Sequence, residues 1–150
     1  MAFVSIPVQR SEDALDLPIP GYASEGAAGM DLYAAVTDPI TLNPGERALI
    51  RTGIRLAIPE GFEGQVRARS GQAWKRGLGM VNAPGTIDSD YRGEIQVILI
   101  NWGQSTETIR RGDRIAQLVI APIARAELVE VEEIAETARG SGGFGHTGNT

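Results

Sequence analysis

The chain has 150 residues with a formal net charge of −5, no cysteine and a single histidine, His146. Disulfides, thiol catalysis and thiolate zinc sites are thereby excluded, and the composition argues against a His-based metal cage or a Ser-His-Asp triad at a folded core. The acidic balance argues against general nucleic-acid coating, so an anionic ligand would have to meet a local basic cluster. There is no run of 18 apolar residues, and no membrane partner is expected. The length favours one domain. The first twenty residues mix Pro7, Arg10, Glu12, Asp13, Asp16, Pro18 and Pro20. That is neither a secretory nor a transit signal, and a cytoplasmic place is expected.

Short β-like runs recur along the chain, broken by glycine and proline. Phe3 to Val8 is apolar and β-branched. Pro44-Gly45 and Pro59-Glu60-Gly61 are turn signals. Ile54, Leu56 and Ile58 alternate with Arg55 and Ala57, and Val66 and Ala68 alternate with Arg67 and Arg69. Ser70 to Arg76 is the helical segment among them. Ile95, Val97 and Leu99 share one strand face while Ile98 and Ile100 share the other, which predicts a strand buried on both faces. Such a strand in a small domain needs a partner for its second face. Ile115 to Ile120 and Glu127 to Ile134 complete the strands. The pattern predicts an all-β sandwich, barrel or jelly roll. After Ala138 the chain turns glycine-rich, with Gly140, Gly142, Gly143, Gly145 and Gly148 around Phe144. Free, such a tail has high conformational entropy. One phenylalanine and one arginine, Arg139, among glycines suit either an idle end or a flap over a flat anion.

The densest segment is Asn82 to Gly93. It sets Asp88, Asp90, Tyr91 and Arg92 just after Pro84-Gly85. With strands expected at Gly77 to Ala83 and Glu94 to Asn101, it reads as a hairpin, which would hold side chains rigidly. On composition alone the ordinary reading is a polar surface turn.

Five blocks, in order, resemble the trimeric deoxyuridine triphosphatase (dUTPase) family. They are Ala27 to Leu32, Arg69-Ser70-Gly71, Asn82 to Gly93, Arg111 to Leu118, and Arg139 to Gly148. The resemblance implies a single-domain jelly-roll subunit (residues 1–138) with one short helix and a flexible C-terminal flap (residues 139–150). It implies a homotrimer with three active sites at subunit interfaces. It also implies hydrolysis of dUTP to dUMP and pyrophosphate with Mg2+ as cofactor. The chain departs from the family pattern at Ala68, Gln72 and His146.

Triphosphate hydrolysis needs an in-line water, a proton acceptor and positive charge on the phosphates. Asp88 resembles the family's water-activating aspartate; on composition alone Asp90 competes. The resemblance implies that Asp31 holds Mg2+ through water, since Mg2+ keeps several waters and takes ligands from substrate phosphates. Arg69 offers phosphate a two-pronged contact, and Ser70 and Gly71 a hydroxyl and backbone N–H groups. Gln117 resembles a glutamine of the phosphate region. Asn82 can answer uracil's mixed donor and acceptor edge, with backbone groups of Gly85, Thr86 and Ile87. Tyr91 would lie against deoxyribose and crowd out a 2'-hydroxyl. In the tail, Phe144 would stack on uracil while Arg139, Ser141, Gly142, His146 and Thr147 surround the β- and γ-phosphates. Two other readings share the fold. A dCTP deaminase would carry Trp-Glu-Gly where this chain has Tyr91-Arg92-Gly93, and a non-catalytic jelly-roll module would have no use for Asp31, Asp88, Arg69 and Phe144 together.

Overall fold

Period-two alternation does build most of the strands. The computed structural model describes residues 3–143. In chain order the strands are β1 (Val8–Arg10), β2 (Met30–Tyr33), β3 (Ile40–Leu42), β4 (Arg47–Arg51), β5 (Ile54–Leu56) and β6 (Phe62–Arg67). After helix α1 (Ser70–Arg76) come β7 (Leu78–Met80), β8 (Gly85–Ile87), β9 (Gln96–Asn101), β10 (Glu107–Ile109) and β11 (Arg114–Pro122). A short 3-10 turn at Glu12–Ala14 was not foreseen. The helix falls on its predicted residues, with Lys75 and Arg76 in its last turn and Gly77 closing it at φ 67°. Cations there complement the carbonyl end of the helix, and glycine takes the left-handed conformation without steric cost.

The strands form a four-stranded sheet in the order β2-β11-β6-β8, a three-stranded sheet β4-β9-β7, and the pairs β1-β5 and β3-β10. No closed barrel forms among the described residues. Leu32, Val66 and Leu118 from the larger sheet share one core with Ile50, Leu78, Met80, Val97 and Leu99 from the smaller. Each is at most 6% exposed, and each such burial contributes roughly 1.5–3 kcal/mol relative to exposure. Asn101, wholly buried, donates to the Leu42 and Ser105 carbonyls and accepts from the Gly103 N–H. The buried amide is therefore satisfied and ties β9 to β3.

Three expectations need correction. The N-terminal strand begins only at Val8, because its partner β5 has three residues; Phe3 is 94% exposed. Glu127 to Ile134 forms no strand: it is exposed along its length, with no neighbouring strand among the described residues to satisfy its backbone. The third concerns the hairpin. Its flanks do pair, Leu78 with Asn101 and Met80 with Leu99. Between them, however, the chain leaves that sheet, and β8 pairs with β6 in the other one. The buried Gly85 and half-buried Ile87 explain the departure: they pack along Val66 and Gly64, which a two-residue turn could not do. In β9, Val97 and Leu99 face the core as expected. On the opposite face Ile98 is half-buried and its cross-strand partner Leu49 is 58% exposed.

Candidate active site

Register across the four-stranded sheet assembles the first half of the site. Asp31 stands opposite Gln117, and Gln117 stands opposite Arg67. Directly opposed residues share a sheet face. Their neighbours Leu32, Leu118 and Val66 are buried in the core, so this row points the other way. Arg69 follows two residues after Arg67, on the same side of the chain, where β6 gives way to α1. Its Nε donates to Asp31 Oδ1 at 2.8 Å, and an Arg114 guanidinium nitrogen donates to Oδ2 at 3.2 Å. The Asp31 side chain is only 13% exposed, so these charge-assisted bonds operate in a lower dielectric than a surface pair.

Gln117 donates through Nε2 to the Ala68 carbonyl at 3.0 Å. Its amide lies against Gly29, in space that any side chain there would fill. Ser70 opens the helix but does not cap it: Arg69 occupies the cap position and makes no side-chain cap bond. The exposed Ser70 hydroxyl and Gly71 therefore face a cavity of about 380 Å³ together with Asp31, Arg67, Arg69 and Gln117. Five of the predicted residues (Asp31, Arg69, Ser70, Gly71 and Gln117) thus meet in one place. Arg67 and Arg114 were missed as site residues. The alternation that placed Arg67 and Arg69 on one strand face was the available signal for the first, and the Arg111 to Leu118 block for the second. With Arg69 and Arg114 on one carboxylate and Arg67 lining the same cavity, this is a local basic cluster in an acidic chain. Gln72 turns aside, bonding the Arg114 carbonyl at 3.1 Å and accepting from Arg76.

The remaining predicted residues lie elsewhere on the chain. The Asn82 amide sits over Gly85. The Tyr91 N–H donates to the Asp88 carbonyl at 3.1 Å, closing a turn, and Arg92 donates to the Ser89 carbonyl at 2.6 Å. Asp88 and Asp90 are exposed and line a different cavity of about 860 Å³ with Pro59 to Glu63, Arg92 and Arg125. The reason is the register of β8. Ile87 opposes Gly64 and Gly85 opposes Val66, so the chain runs away from Arg69 as it approaches Asp88. At about 3.3 Å per residue, the level of Asp88 is roughly 20 Å from that of Arg69. In the tail, Arg139 Nε bonds the Gly142 carbonyl at 2.8 Å within a turn that also holds Gly140 and Ser141. None of these lines the Asp31 cavity. Phe144, His146 and Thr147 lie outside the described residues.

No group of three or more carboxylate or imidazole side chains able to hold a metal occurs among the described residues. A protein cage is thus absent there, but the donor set suits a phosphate-bound Mg2+. Each Asp31 oxygen accepts one arginine, and a carboxylate offers about four lone-pair sites, which leaves acceptor capacity for metal-bound water.

A mostly-β chain with an arginine-lined cavity at the strand-to-helix junction limits the choice of family, and comparison with known proteins makes it. The sequence profile of the dUTPase family matches residues 16–148. The chain is 55% identical to the deoxyuridine 5'-triphosphate nucleotidohydrolase of Caldanaerobacter subterraneus subsp. tengcongensis, covering 97% of this chain and 98% of that protein. It is 58% identical to the protein of that name from Anaeromyxobacter sp. (strain Fw109-5), with the same coverage. Its fold superposes on the Staphylococcus bacteriophage 80alpha dUTPase solved with dUpNHpp, at a TM-score of 0.85, 29% identity, and coverage of 96% and 98%. A dUTPase from phage phi11 of S. aureus, solved with a structural Mg(II) ion, aligns at a TM-score of 0.76 and 29% identity over 87% of this chain and 98% of that one. The chain belongs to the dUTPase family.

Proposed function

We infer that the chain hydrolyses dUTP to dUMP and pyrophosphate, by water attack on the α-phosphorus, in a homotrimer whose sites are shared between subunits. The observation that carries this reading is the split of the site along β6. The Arg69 cavity lies at one end of the strand and Asp88 at the other, too far apart to act on one phosphorus. A second copy that brings its Asn82–Gly93 loop to the first copy's Arg69 cavity completes the constellation. The half-covered Leu49 and Ile98 face is consistent with such assembly.

In the completed site Asp88 orients the attacking water and takes its proton as the bond to phosphorus forms. Arg69, with Ser70 and Gly71, holds the phosphate chain, and positive charge from Arg67 and Arg114 offsets the charge that builds up on it. Mg2+, when bound, neutralises phosphate oxygens and orients the triphosphate. Asp31 would hold it through water. Gln117 keeps the Ala68 carbonyl, and hence the helix entrance, in place. Asn82 with backbone groups of Gly85, Thr86 and Ile87 reads uracil, and Tyr91 closes against deoxyribose. The tail supplies Phe144 for stacking on the base, and Arg139, Ser141, Gly142, His146 and Thr147 for the β- and γ-phosphates. No described helix is long and apolar enough to cross a membrane, which accords with a cytoplasmic place.

The test is pyrophosphate release from dUTP, dCTP, dTTP and UTP side by side, with and without Mg2+. Turnover of dUTP alone, strengthened by Mg2+, is expected. Ammonia release from dCTP would transfer the chain to the deaminases.

A further inference from the structure

The Asn82–Gly93 loop is anchored by hydrogen bonds that reach back into the body of the fold. The Tyr91 hydroxyl donates to the backbone carbonyl of Glu94 at 2.9 Å. Its ring lies across Gly93, where a Cβ would overlap both ring and hydroxyl. The Glu94 carboxylate, 13% exposed, accepts from Arg51 Nε at 3.1 and 3.2 Å and from the Gly53 N–H at 2.8 Å. Arg51 reaches onward to Asp13 at 2.7 Å. The next residue is held from both sides: the Ile95 N–H donates to the Ile54 carbonyl at 2.8 Å, and its carbonyl accepts the Thr52 hydroxyl at 2.6 Å. The carbonyl that receives Tyr91 is therefore fixed to the corner between β4 and β5, on the rigid part of the fold.

We propose that Arg51 and Glu94 are positioning residues for sugar discrimination: they fix the carbonyl that orients the Tyr91 ring, and so set how strongly a 2'-hydroxyl is rejected. The proposal rests on the reading of Tyr91 as the wall against deoxyribose. A steric wall discriminates only as well as it resists displacement. An exposed phenol is free to swing unless its far end is held, and here the holder is a carbonyl whose own side chain is clamped by a guanidinium and a backbone N–H. A planar guanidinium fork fixes a carboxylate in a way that a lysine ammonium does not.

The experiment measures kcat and KM for dUTP and UTP on the full-length assembled protein, as wild type, Glu94→Gln, Arg51→Lys, Tyr91→Phe and Tyr91→Ala. Loss of one hydrogen bond predicts a fall of about 3- to 10-fold in the preference for dUTP over UTP in the first three variants. The fall should come from a higher kcat/KM for UTP, and in Glu94→Gln and Arg51→Lys kcat for dUTP should stay within about twofold of wild type. Adding Glu94→Gln to Tyr91→Phe should produce no further fall, because the bond it acts through is already gone. A purely structural role would lower both substrates together and leave the ratio unchanged, which overturns the proposal. If Glu94→Gln does not fold, Arg51→Lys and the exposed-end variant Asp13→Asn decide the matter by the same ratio. Tyr91→Ala separates the two levels. An unchanged ratio there removes Tyr91 as the wall, and the proposal with it; a relaxed ratio there with an intact one in Arg51→Lys and Glu94→Gln removes the positioning role alone.

Discussion

Mixing two inactive variants should restore activity. Asp88→Asn removes the base from the loop half of the site, and Arg69→Ala removes the phosphate anchor from the cavity half. Each homotrimer should lose about 10²-fold or more in turnover, the scale of losing a general base or a positioned charge. Within one chain the two positions lie six residues apart along the β6 direction, roughly 20 Å, so under the shared-site reading they serve different sites. When subunits are mixed in equal amounts and reassembled, a site pairs a loop from one subunit with a cavity from its neighbour. The chance that the loop comes from an Arg69→Ala subunit is one half, and the chance that the cavity comes from an Asp88→Asn subunit is one half. About one site in four is then intact, and the mixture should recover about 25% of wild-type activity after random exchange. The assay is pyrophosphate release from dUTP after co-refolding or co-expression, with each variant refolded alone as the control. Recovery no greater than the sum of the two parents would place the complete site within one chain and refute the argument from register.

Three further outcomes are expected. Asp88→Asn alone should bind dUTP by calorimetry about as well as wild type while its turnover falls about 10²-fold or more; near-normal turnover would promote Asp90. Deleting residues 139–150 should leave the fold and assembly intact by circular dichroism and light scattering, since the last strand ends at Pro122, but should remove most hydrolysis as the phosphates lose their clamp; full activity in the truncated protein would make the tail an idle terminus. The carboxyls of Asp13 and Asp16 are held below their ordinary value of 3.8, first by hydrogen bonds from Arg51 and Arg111 respectively. A lowered carboxyl stabilises the native state above its unfolded pKa, and that contribution disappears as pH falls through the native one. The stability gap between wild type and Asp16→Asn in urea unfolding should therefore be open above pH 3.8 and close on further acidification; a gap that widened in acid would contradict the ion pair.

Local chemistry made part of this molecule legible in its residues. Alternation located Ile54 to Leu56 and the apolar positions of β9, and the Arg69-Ser70-Gly71 junction lay where a strand pattern stopped and a helical one began. Asp31 and Gln117, 86 positions apart, came together only through register. Periodicity states which face a residue occupies, not which strand lies beside it. The excursion of β8 into the other sheet was hidden for the same reason. Gly85 to Ile87 carries turn residues, and its strand character arises from packing along Val66 and Gly64. Glu127 to Ile134 failed in the opposite sense. Its apolar residues suit a strand, but a strand exists only where another backbone answers its N–H and C=O groups, and among the described residues none does.

The division of the site has a cause in the fold. A strand of six residues, β6, carries the phosphate cavity beyond one end and pairs near the other with the strand that leads to Asp88. Its buried residues, Gly64 and Val66, are committed to the core and to β8, so the two halves cannot slide together without a register shift that would turn Val66 toward solvent. Under the shared-site reading, a single subunit is thus held in an inactive geometry by the same packing that stabilises it, and activity must follow assembly. Diluting the protein through its association range should lower specific activity in step with the loss of trimer, and dUTP, by binding only the completed site, should shift that range to lower protein concentration.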